Sequence, residues 1–303
     1  MNQPGWKGIF PSLPTPFTAA GDLDLDGQRA VVDFAVRGGA DGLICFGLAG
    51  EVFRLTPRER IELLEVIVDE AAGRVPVLAG VGTEAEHTSI ALAREAAQIG
   101  ADGIVIPPPV TASPSSDELV GFFAAVSGAT PLPAMVQDAP EYLQIEVGPD
   151  IVARVAERTP QLAAVKLEAG AAGTADWVQA LEDRLLIFCG SGGLYLLDCL
   201  EMGAAGVAPG TDLTDQLAQV YAAWAAGDLE AAWAQQSRLL PMLVFQMQDI
   251  EHYNATAKYV LGRRGIPIQP HLRAPCLRLG DEGRAIVDRY LESLDLAEAG
   301  REA

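Results

Sequence analysis

Short apolar runs alternate with amphipathic segments of helical length from residue 8 to about residue 211. Eight runs carry this pattern, and they cover residues 8–16, 42–47, 75–81, 103–107, 132–137, 162–168, 185–189 and 206–209. Strands that are separated by helices pair in parallel through right-handed crossovers. Eight such units predict an α/β fold whose sheet closes into a (β/α)8 TIM barrel.

The segments between the runs carry helix-end signals. Helix-like stretches include residues 56–72 and 84–99, and Thr56 with Glu59 has the spacing of a capping box. The motif Gly-Ala-Asp-Gly or a near copy recurs at three joins, residues 39–42, 100–103 and 203–206. Because glycine after a helix favours a C-cap, these repeats indicate repeated βα units rather than a binding site.

The strand pattern stops after Thr211, and the rest of the chain has only helical patterns. Predicted helices there cover residues 228–248, 250–262 and 282–294. We therefore predict a barrel over residues 1–212. Residues 213–303 would hold the last barrel helix and a C-terminal α-helical appendage. Because no Ser/Gly-rich linker separates the two parts, we expect the appendage to pack on the barrel.

Composition narrows the class of protein. The formal charge of −20 repels phosphate backbones and anionic lipids, so nucleic acid and membrane partners are not expected. The cysteines are scattered and the histidines have no metal spacing, so we expect no metal and no cofactor. Prolines interrupt residues 1–20, which lack a signal-type apolar stretch, and a cytoplasmic protein is expected.

Lys166 is unusual because it lies within the apolar sixth run. A buried ammonium is costly unless it is paired. One interpretation is a structural ion pair with Glu168, since residues two apart on a strand share a face. The other is a nucleophilic lysine whose amine reacts with a carbonyl group. Spacing alone leaves both open.

Other candidate site residues also follow predicted strands, where TIM barrels carry their chemistry. The second run leads into Gly47-Leu48-Ala49-Gly50-Glu51, which is either a plain turn or a loop whose backbone N–H groups hold a carboxylate. The fifth run ends in Gln137 and Asp138, and the seventh leads into Gly190.

The order of several motifs resembles the dihydrodipicolinate synthase and N-acetylneuraminate lyase family of class I aldolases, over nearly the whole chain. The motifs are Gly8-Ile-Phe-Pro-Ser-Leu-Pro-Thr-Pro-Phe17, Gly47-Leu-Ala-Gly50-Glu51 followed by Leu55-Thr56, Val75-Pro-Val-Leu-Ala-Gly80, and Val165-Lys166. The resemblance implies that Lys166 forms an imine with a 2-keto acid and that the backbone at Leu48, Ala49 and Gly50 cradles its carboxylate. It also implies a homotetramer or homodimer.

Departures from the family pattern bear on the substrate. Leu48 and Ala49 replace two hydroxyl residues of the family's glycine loop, and Gln137 and Asp138 replace a tyrosine and an asparagine. Where the family often has a tyrosine after strand four, this chain has a run of three prolines. The arginine that the family pattern predicts after the strand-five proline is not evident, and Tyr142 lies near that position.

The sequence is therefore closer to the 2-keto-3-deoxy sugar acid dehydratases, such as L-2-keto-3-deoxyarabonate dehydratase, than to an authentic dihydrodipicolinate synthase. This likeness rests on Met135-Val-Gln-Asp-Ala-Pro140, Lys166-Leu-Glu168 and Thr256-Ala-Lys258. The substrate is then expected to be a 2-keto-3-deoxy sugar acid that loses water from its imine.

Roles for the candidate residues follow from their chemistry. Glu168 is the first candidate for the general base, with an ion-pair role as its alternative. Gln137 orients a hydroxyl group or water, and Tyr142 is a second proton-relay candidate. Glu51 is expected to anchor its loop through hydrogen bonds.

Three alternatives remain at this point. Retro-aldol cleavage stays open because the Gly-x-x-Gly-Glu loop is closer to the aldolase branch, and a related pyruvate aldolase would condense pyruvate with an aldehyde. A catalytically impaired keto-acid sensor is an alternative from another class. A metal-dependent class II aldolase is not favoured, because the sequence lacks its cluster of histidines and carboxylates.

Overall fold

The computed structural model describes residues 4–182 and 184–297. Residues 1–3 of the predicted barrel segment and residues 298–303 of the predicted C-terminal segment lie outside the described residues. The boundary between these two segments at residue 212 stays a prediction. The structure begins with eight short strands that alternate with helices. The strands are β1 (Gly8–Ile9), β2 (Leu43–Cys45), β3 (Val77–Gly80), β4 (Gly103–Ile106), β5 (Ala134–Asp138), β6 (Leu162–Leu167), β7 (Leu186–Cys189) and β8 (Gly206–Val207).

All eight strands are parallel, in the order β1-β8-β7-β6-β5-β4-β3-β2. Ser12, just beyond β1, bridges both Ile44 and Gly210, which joins the two edges of the sheet. The (β/α)8 barrel predicted from the sequence is confirmed. The first run contributes only a two-residue strand because Pro11, Pro14 and Pro16 have no N–H group for the ladder.

Helices surround the barrel and continue beyond its last strand. They are α1 (Leu25–Arg37), α2 (Pro57–Ala71), α3 (Glu86–Ile99), α4 (Ser116–Ser127), α5 (Pro140–Leu143), α6 (Gly148–Arg158), α7 (Ala171–Leu181), α8 (Leu196–Glu201), α9 (Thr214–Ala225), α10 (Leu229–Gln246), α11 (Ile250–Arg263) and α12 (Asp281–Ser293). The capping box of Thr56 and Glu59 starts α2 as predicted. No helix among the described residues combines the length and apolarity needed to span a membrane.

The repeated Gly-Ala-Asp-Gly motif has a structural explanation. Gly39, Gly100 and Gly203 all have positive φ and end the preceding helices or turns. The aspartates of the first two copies then turn back to the sheet, since Asp41 accepts from the N–H of Ile9 and Asp102 from the N–H of Val77, both at 2.9 Å. The motif therefore fixes helix ends and strand starts.

The barrel interior determines where polar groups of the strands can lie. One buried cluster fills it, made of Trp6, Phe10, Ile44, Leu78, Val105, Met135, Ala164, Phe188 and Ala208. Gln137 and Lys166 are two residues beyond Met135 and Ala164, so they face the same interior at the carboxyl ends of β5 and β6. A larger cluster packs the outer face of the sheet against the helices.

Candidate active site

Lys166 lies inside the barrel, on β6. The residue is 7% exposed, and its register partners are Gln137 on β5 and Phe188 on β7. Its Nζ contacts Oε1 of Glu168, which forms the ion pair that the spacing allowed. The ion pair explains how an ammonium group is tolerated here, and it also keeps a carboxylate in contact with the amine.

Glu168 follows β6 directly, and two hydrogen bonds with backbone groups hold it. Its N–H donates to the Asp138 carbonyl at 3.2 Å, and its Oε2 accepts from the N–H of Ser191. Gly190 leaves the space for this carboxylate, because a Cβ built on Gly190 would overlap both carboxylate oxygens. Ser191 has a φ of 51°, an uncommon conformation for a residue with a side chain. The carboxylate is therefore oriented between the amine and the β7 loop.

The glycine loop after β2 forms a short 3-10 turn, Leu48–Gly50. Its first internal hydrogen bond runs from the Gly50 N–H to the Gly47 carbonyl at 3.0 Å. The N–H groups of Leu48 and Ala49 precede that bond, and the first donors of a helical turn have no partner within the turn. They are suited to bind a carboxylate.

Glu51 lies behind the glycine loop rather than on the cleft. Its side chain is 0% exposed, as is that of its ion-pair partner Lys258 on α11. Arg54 also pairs with Glu51 at 3.2 Å, and the Arg273 N–H donates to it at 3.3 Å. Burial lowers the pKa of Lys258, and the Glu51 carboxylate opposes that change. These contacts fix the conformation of the loop's end, where Glu51 has a φ of 54°.

The loop after β5 carries Asp138 and Tyr142. The Asp138 carboxylate accepts from the Val147 N–H at 3.0 Å, so it is bound within its own loop, and burial raises its pKa. Tyr142 lies on α5 and reaches the cleft. Burial, together with the charge of Glu168, raises the pKa of Tyr142, so its hydroxyl keeps its proton at neutral pH.

Helix α11 forms the opposite wall. The Tyr253 hydroxyl donates to Oδ1 of Asp212 at 2.9 Å, and Gln246 donates to Oδ2 at 2.6 Å. Asn254 donates to the Leu48 carbonyl at 3.2 Å. One C-terminal helix thus contacts both the glycine loop and the segment after β8.

These elements enclose a cleft of about 480 Å³, a volume that includes its opening to solvent. Its lining consists of Ser12, Ile44, Gly47, Leu48, Ala49, Gln137, Tyr142, Lys166, Glu168, Ser191, Gly192, Ala208, Pro209, Gly210, Met247, Ile250 and Tyr253. Seven residues singled out from the sequence belong to this wall, namely Gly47, Leu48, Ala49, Gln137, Tyr142, Lys166 and Glu168. Gly50, Glu51, Asp138 and Gly190 lie behind it and support it.

Sequence reasoning missed several lining residues. Ser12 could have been found, because it is two residues from the inward-facing Phe10. Ser191 directly follows Gly190 in the glycine-rich loop after the seventh run, where the sequence pattern singled out Gly190 alone. Met247, Ile250 and Tyr253 gave no local signal, because they reach the cleft only through the packing of α10 and α11.

Comparison with known proteins agrees with this arrangement. A family model described as the dihydrodipicolinate synthetase family matches residues 5–294. The 4-hydroxy-tetrahydrodipicolinate synthase 2 of Streptomyces coelicolor is 33% identical over 90% of each chain. The L-2-keto-3-deoxyarabonate dehydratase of Azospirillum brasilense is 32% identical over 97% of this chain and 96% of its own length.

A solved structure has the same fold. The pyruvate complex of YagE, a prophage protein of the dihydrodipicolinic acid synthase family from E. coli K12, superimposes with a TM-score of 0.91. It is 27% identical and covers 96% of this chain and 99% of its own. The motifs, the barrel and these matches lead to one conclusion, that the chain belongs to the dihydrodipicolinate synthetase family.

Proposed function

We propose that this protein is a class I lyase whose Lys166 forms an imine with a 2-keto acid, and that its substrate is a 2-keto-3-deoxy sugar acid. One observation carries the proposal. The sequence has three lysines, Lys7, Lys166 and Lys258, and only Lys166 lines the cleft. Lys7 is exposed on the surface, and Lys258 is fully buried against Glu51.

The contact between Lys166 and Glu168 supports the first chemical step. Glu168 accepts a proton from the ammonium group, and the free amine attacks the C2 carbonyl of the keto acid. The carbinolamine then loses its hydroxyl group as water, which takes up the proton held by Glu168, and a protonated imine and a free Glu168 carboxylate remain. The N–H groups of Leu48 and Ala49 would hold the C1 carboxylate, in keeping with the family resemblance.

Dehydration requires one proton to leave C3 and one to reach the departing hydroxyl group at C4. Glu168 can remove the C3 proton, which gives an enamine. The Tyr142 hydroxyl, which keeps its proton at neutral pH, can supply that proton as the C4–O bond breaks, and the proton that Glu168 took from C3 then reprotonates the phenolate. Hydrolysis of the remaining imine would release a ketone product and the free lysine.

The residues around Lys166 favour a sugar acid over the lysine-pathway reaction. Gln137, an amide, is the register partner of Lys166 on β5, where the family usually has a tyrosine. An amide orients a hydroxyl group but does not carry protons at neutral pH. The dehydratase from Azospirillum brasilense is also similar along nearly the whole chain.

A second candidate is an aldolase that condenses pyruvate with an aldehyde. The similarity to the synthase from Streptomyces coelicolor favours it. It would use the same Lys166 imine and the same carboxylate cradle, and only the later step would differ. Retro-aldol cleavage of a sugar acid would break the C3–C4 bond and release pyruvate with an aldehyde.

Turnover with a panel of 2-keto-3-deoxy acids tests the proposal. Products are identified by mass, because dehydration keeps every carbon in one product whereas cleavage gives pyruvate and an aldehyde. Glu168→Gln keeps the shape of the side chain and is expected to lower kcat by about 10²–10⁴-fold, since it removes the general base. Turnover limited to the condensation of pyruvate with an aldehyde would favour the second candidate, and keto-acid binding without any turnover would favour the sensor.

A further inference from the structure

The cleft has little positive charge. Among the described residues that line it, Lys166 is the only cation, and Glu168 already pairs with it. The remaining polar groups of the wall are uncharged, and they come from Ser12, Gln137, Tyr142, Ser191 and Tyr253. Apart from the carboxylate cradle, no lining side chain can therefore form an ion pair with a second anionic group of a substrate.

The rim adds negative charge. Tyr142, Met247 and Ile250 line the cleft. Glu141, which is exposed, immediately precedes Tyr142, and Asp249, also exposed, lies between Met247 and Ile250. Both carboxylates raise the pKa of Tyr142, after the larger effects of burial and Glu168. A second anion beside Tyr142 would thus meet three carboxylates of the protein.

The helix starts at the rim are also unsuited to an anion. Asp249 caps α11 by accepting from the His252 N–H at 2.7 Å, so a carboxylate of the protein already occupies that position. Glu251 in the same turn pairs with Arg54 at 2.6 Å, so that guanidinium already has a carboxylate partner. Helix α5 begins at Pro140, which has no N–H group to donate.

We infer that the substrate carries a single negative charge, its C1 carboxylate, and that the part beyond C3 is an uncharged, hydroxylated chain rather than one that ends in a carboxylate or phosphate. This inference rests on the proposed function. Gln137, Tyr142 and Ser191 offer hydrogen bonds to hydroxyl groups, and Leu48, Met247 and Ile250 offer an apolar surface. The repulsion between two like unit charges 4 Å apart weakens binding by about fivefold even in water, and by more at a partly desolvated rim.

The test uses two acids that differ only in terminal charge. One is a six-carbon 2-keto-3-deoxy acid that ends in a primary alcohol, and the other is the six-carbon acid that ends in a carboxylate. The monoanion is expected to have a kcat/KM at least about 10²-fold higher. Raising the ionic strength from about 0.01 M to about 1 M shortens the screening length from about 30 Å to about 3 Å, so it should reduce the difference in kcat/KM between the two acids.

Matched variants place the effect at the rim. Glu141→Gln and Asp249→Asn each remove one charge, and asparagine retains the N-cap of α11. Each is expected to raise kcat/KM for the dianion several-fold and to change kcat/KM for the monoanion much less, because the monoanion has no second charge at the rim. Glu62→Gln on the outer helix α2 makes the same charge change away from the cleft, and neither acid should respond to it.

Two outcomes would overturn the inference, and they are distinguishable. If the dianion reacts as fast as the monoanion or faster through a Lys166 imine, the assignment of an uncharged distal chain is wrong and the proposed function stands. If neither acid reacts and neither forms an imine, the proposed function fails and this inference fails with it.

Discussion

Gly190 is the residue that gives Glu168 its position. A Cβ at Gly190 would occupy the space of both Glu168 carboxylate oxygens, and Glu168 in turn contacts Lys166 and the Ser191 N–H. The glycine is thus needed for close approach of a side chain rather than for backbone freedom, since its φ is −95°. A single methyl group here should disturb the chemistry while leaving the fold intact.

Gly190→Ala is expected to lower kcat by about 10²-fold, because displacement of a catalytic group by about 1 Å has an effect of that size. Gly121→Ala is the matched control, since a Cβ built there has no described heavy atom within 4 Å apart from its chain neighbours and the nearby backbone of its own helix. It lies inside α4, so it should keep kcat and raise the free energy of unfolding by about 0.5–1 kcal/mol. Steady-state kinetics and urea unfolding measure both effects, and a wild-type kcat for Gly190→Ala would contradict the role assigned to this glycine.

Single residues were predictable where strand alternation decides their direction. Lys166 and Gln137 follow inward-facing residues by two positions, and the contact of Lys166 with Glu168 obeys the same spacing. The surroundings of Glu51 were not predictable, because its partner Lys258 is 207 positions away in the chain. Only the folded molecule brings the two together.

At the scale of elements, the segment after α11 is tied to the start of α2. Arg273 donates to both carboxylate oxygens of Glu59, and it also donates to the carbonyl of Arg54 at 2.8 Å and that of Gly21 at 2.9 Å. The guanidinium of Arg273, helped by the hydrogen bonds from Thr56, lowers the pKa of Glu59 from about 4.5 to about 2. Glu59 therefore joins the capping box of α2 to the C-terminal part of the chain.

This link gives a pH dependence of stability. The lowered pKa means that the unfolded state binds more protons between about pH 2 and pH 4.5, so the contribution of Glu59 is complete above pH 4.5 and is lost as the pH falls toward 2. Glu59→Gln keeps a capping-box side chain but removes the charge. The stability difference between wild type and variant should therefore be largest near neutral pH and shrink across that window.

Urea unfolding as a function of pH measures the difference. Glu118→Gln is the control, because Glu118 completes the capping box of α4 with Ser115, and its pKa is lowered first by the hydrogen bond from the Ser115 N–H and then by that from the Ser115 hydroxyl, rather than by a charged partner. A smaller pH dependence is expected for Glu118→Gln. Parallel stability curves for wild type and Glu59→Gln would rule out the linkage.

Elements were predictable to the extent that their ends carry local chemistry. The capping box at Thr56 and the glycines at 39, 100 and 203 mark helix ends that the structure has. The first run was predicted as a strand over residues 8–16, but prolines limit regular pairing to Gly8–Ile9. Apolar character was thus a good guide to burial and a poor guide to strand length.

At the scale of the whole molecule, the eight-fold alternation was enough to predict the barrel, and the barrel determines which end carries the site. Which side chains of the C-terminal helices reach the cleft was not encoded in any local pattern. Tyr253 and Asn254 of α11 reach Asp212 and the glycine loop, so they complete the cleft from outside the predicted strand pattern. The cleft is thus lined both by the barrel and by residues of the helical segment that follows it.

Borohydride reduction in the presence of pyruvate, followed by intact mass and peptide mapping, tests the Lys166 imine most directly. With only three lysines in the sequence, the modified position is unambiguous. One reduced pyruvyl adduct per chain is expected, on Lys166, and none in a Lys166→Arg variant that unfolds like the wild type. An adduct on Lys7 or Lys258, or no adduct on the folded protein with pyruvate or any 2-keto-3-deoxy acid, would contradict the assignment of Lys166 as the imine-forming residue.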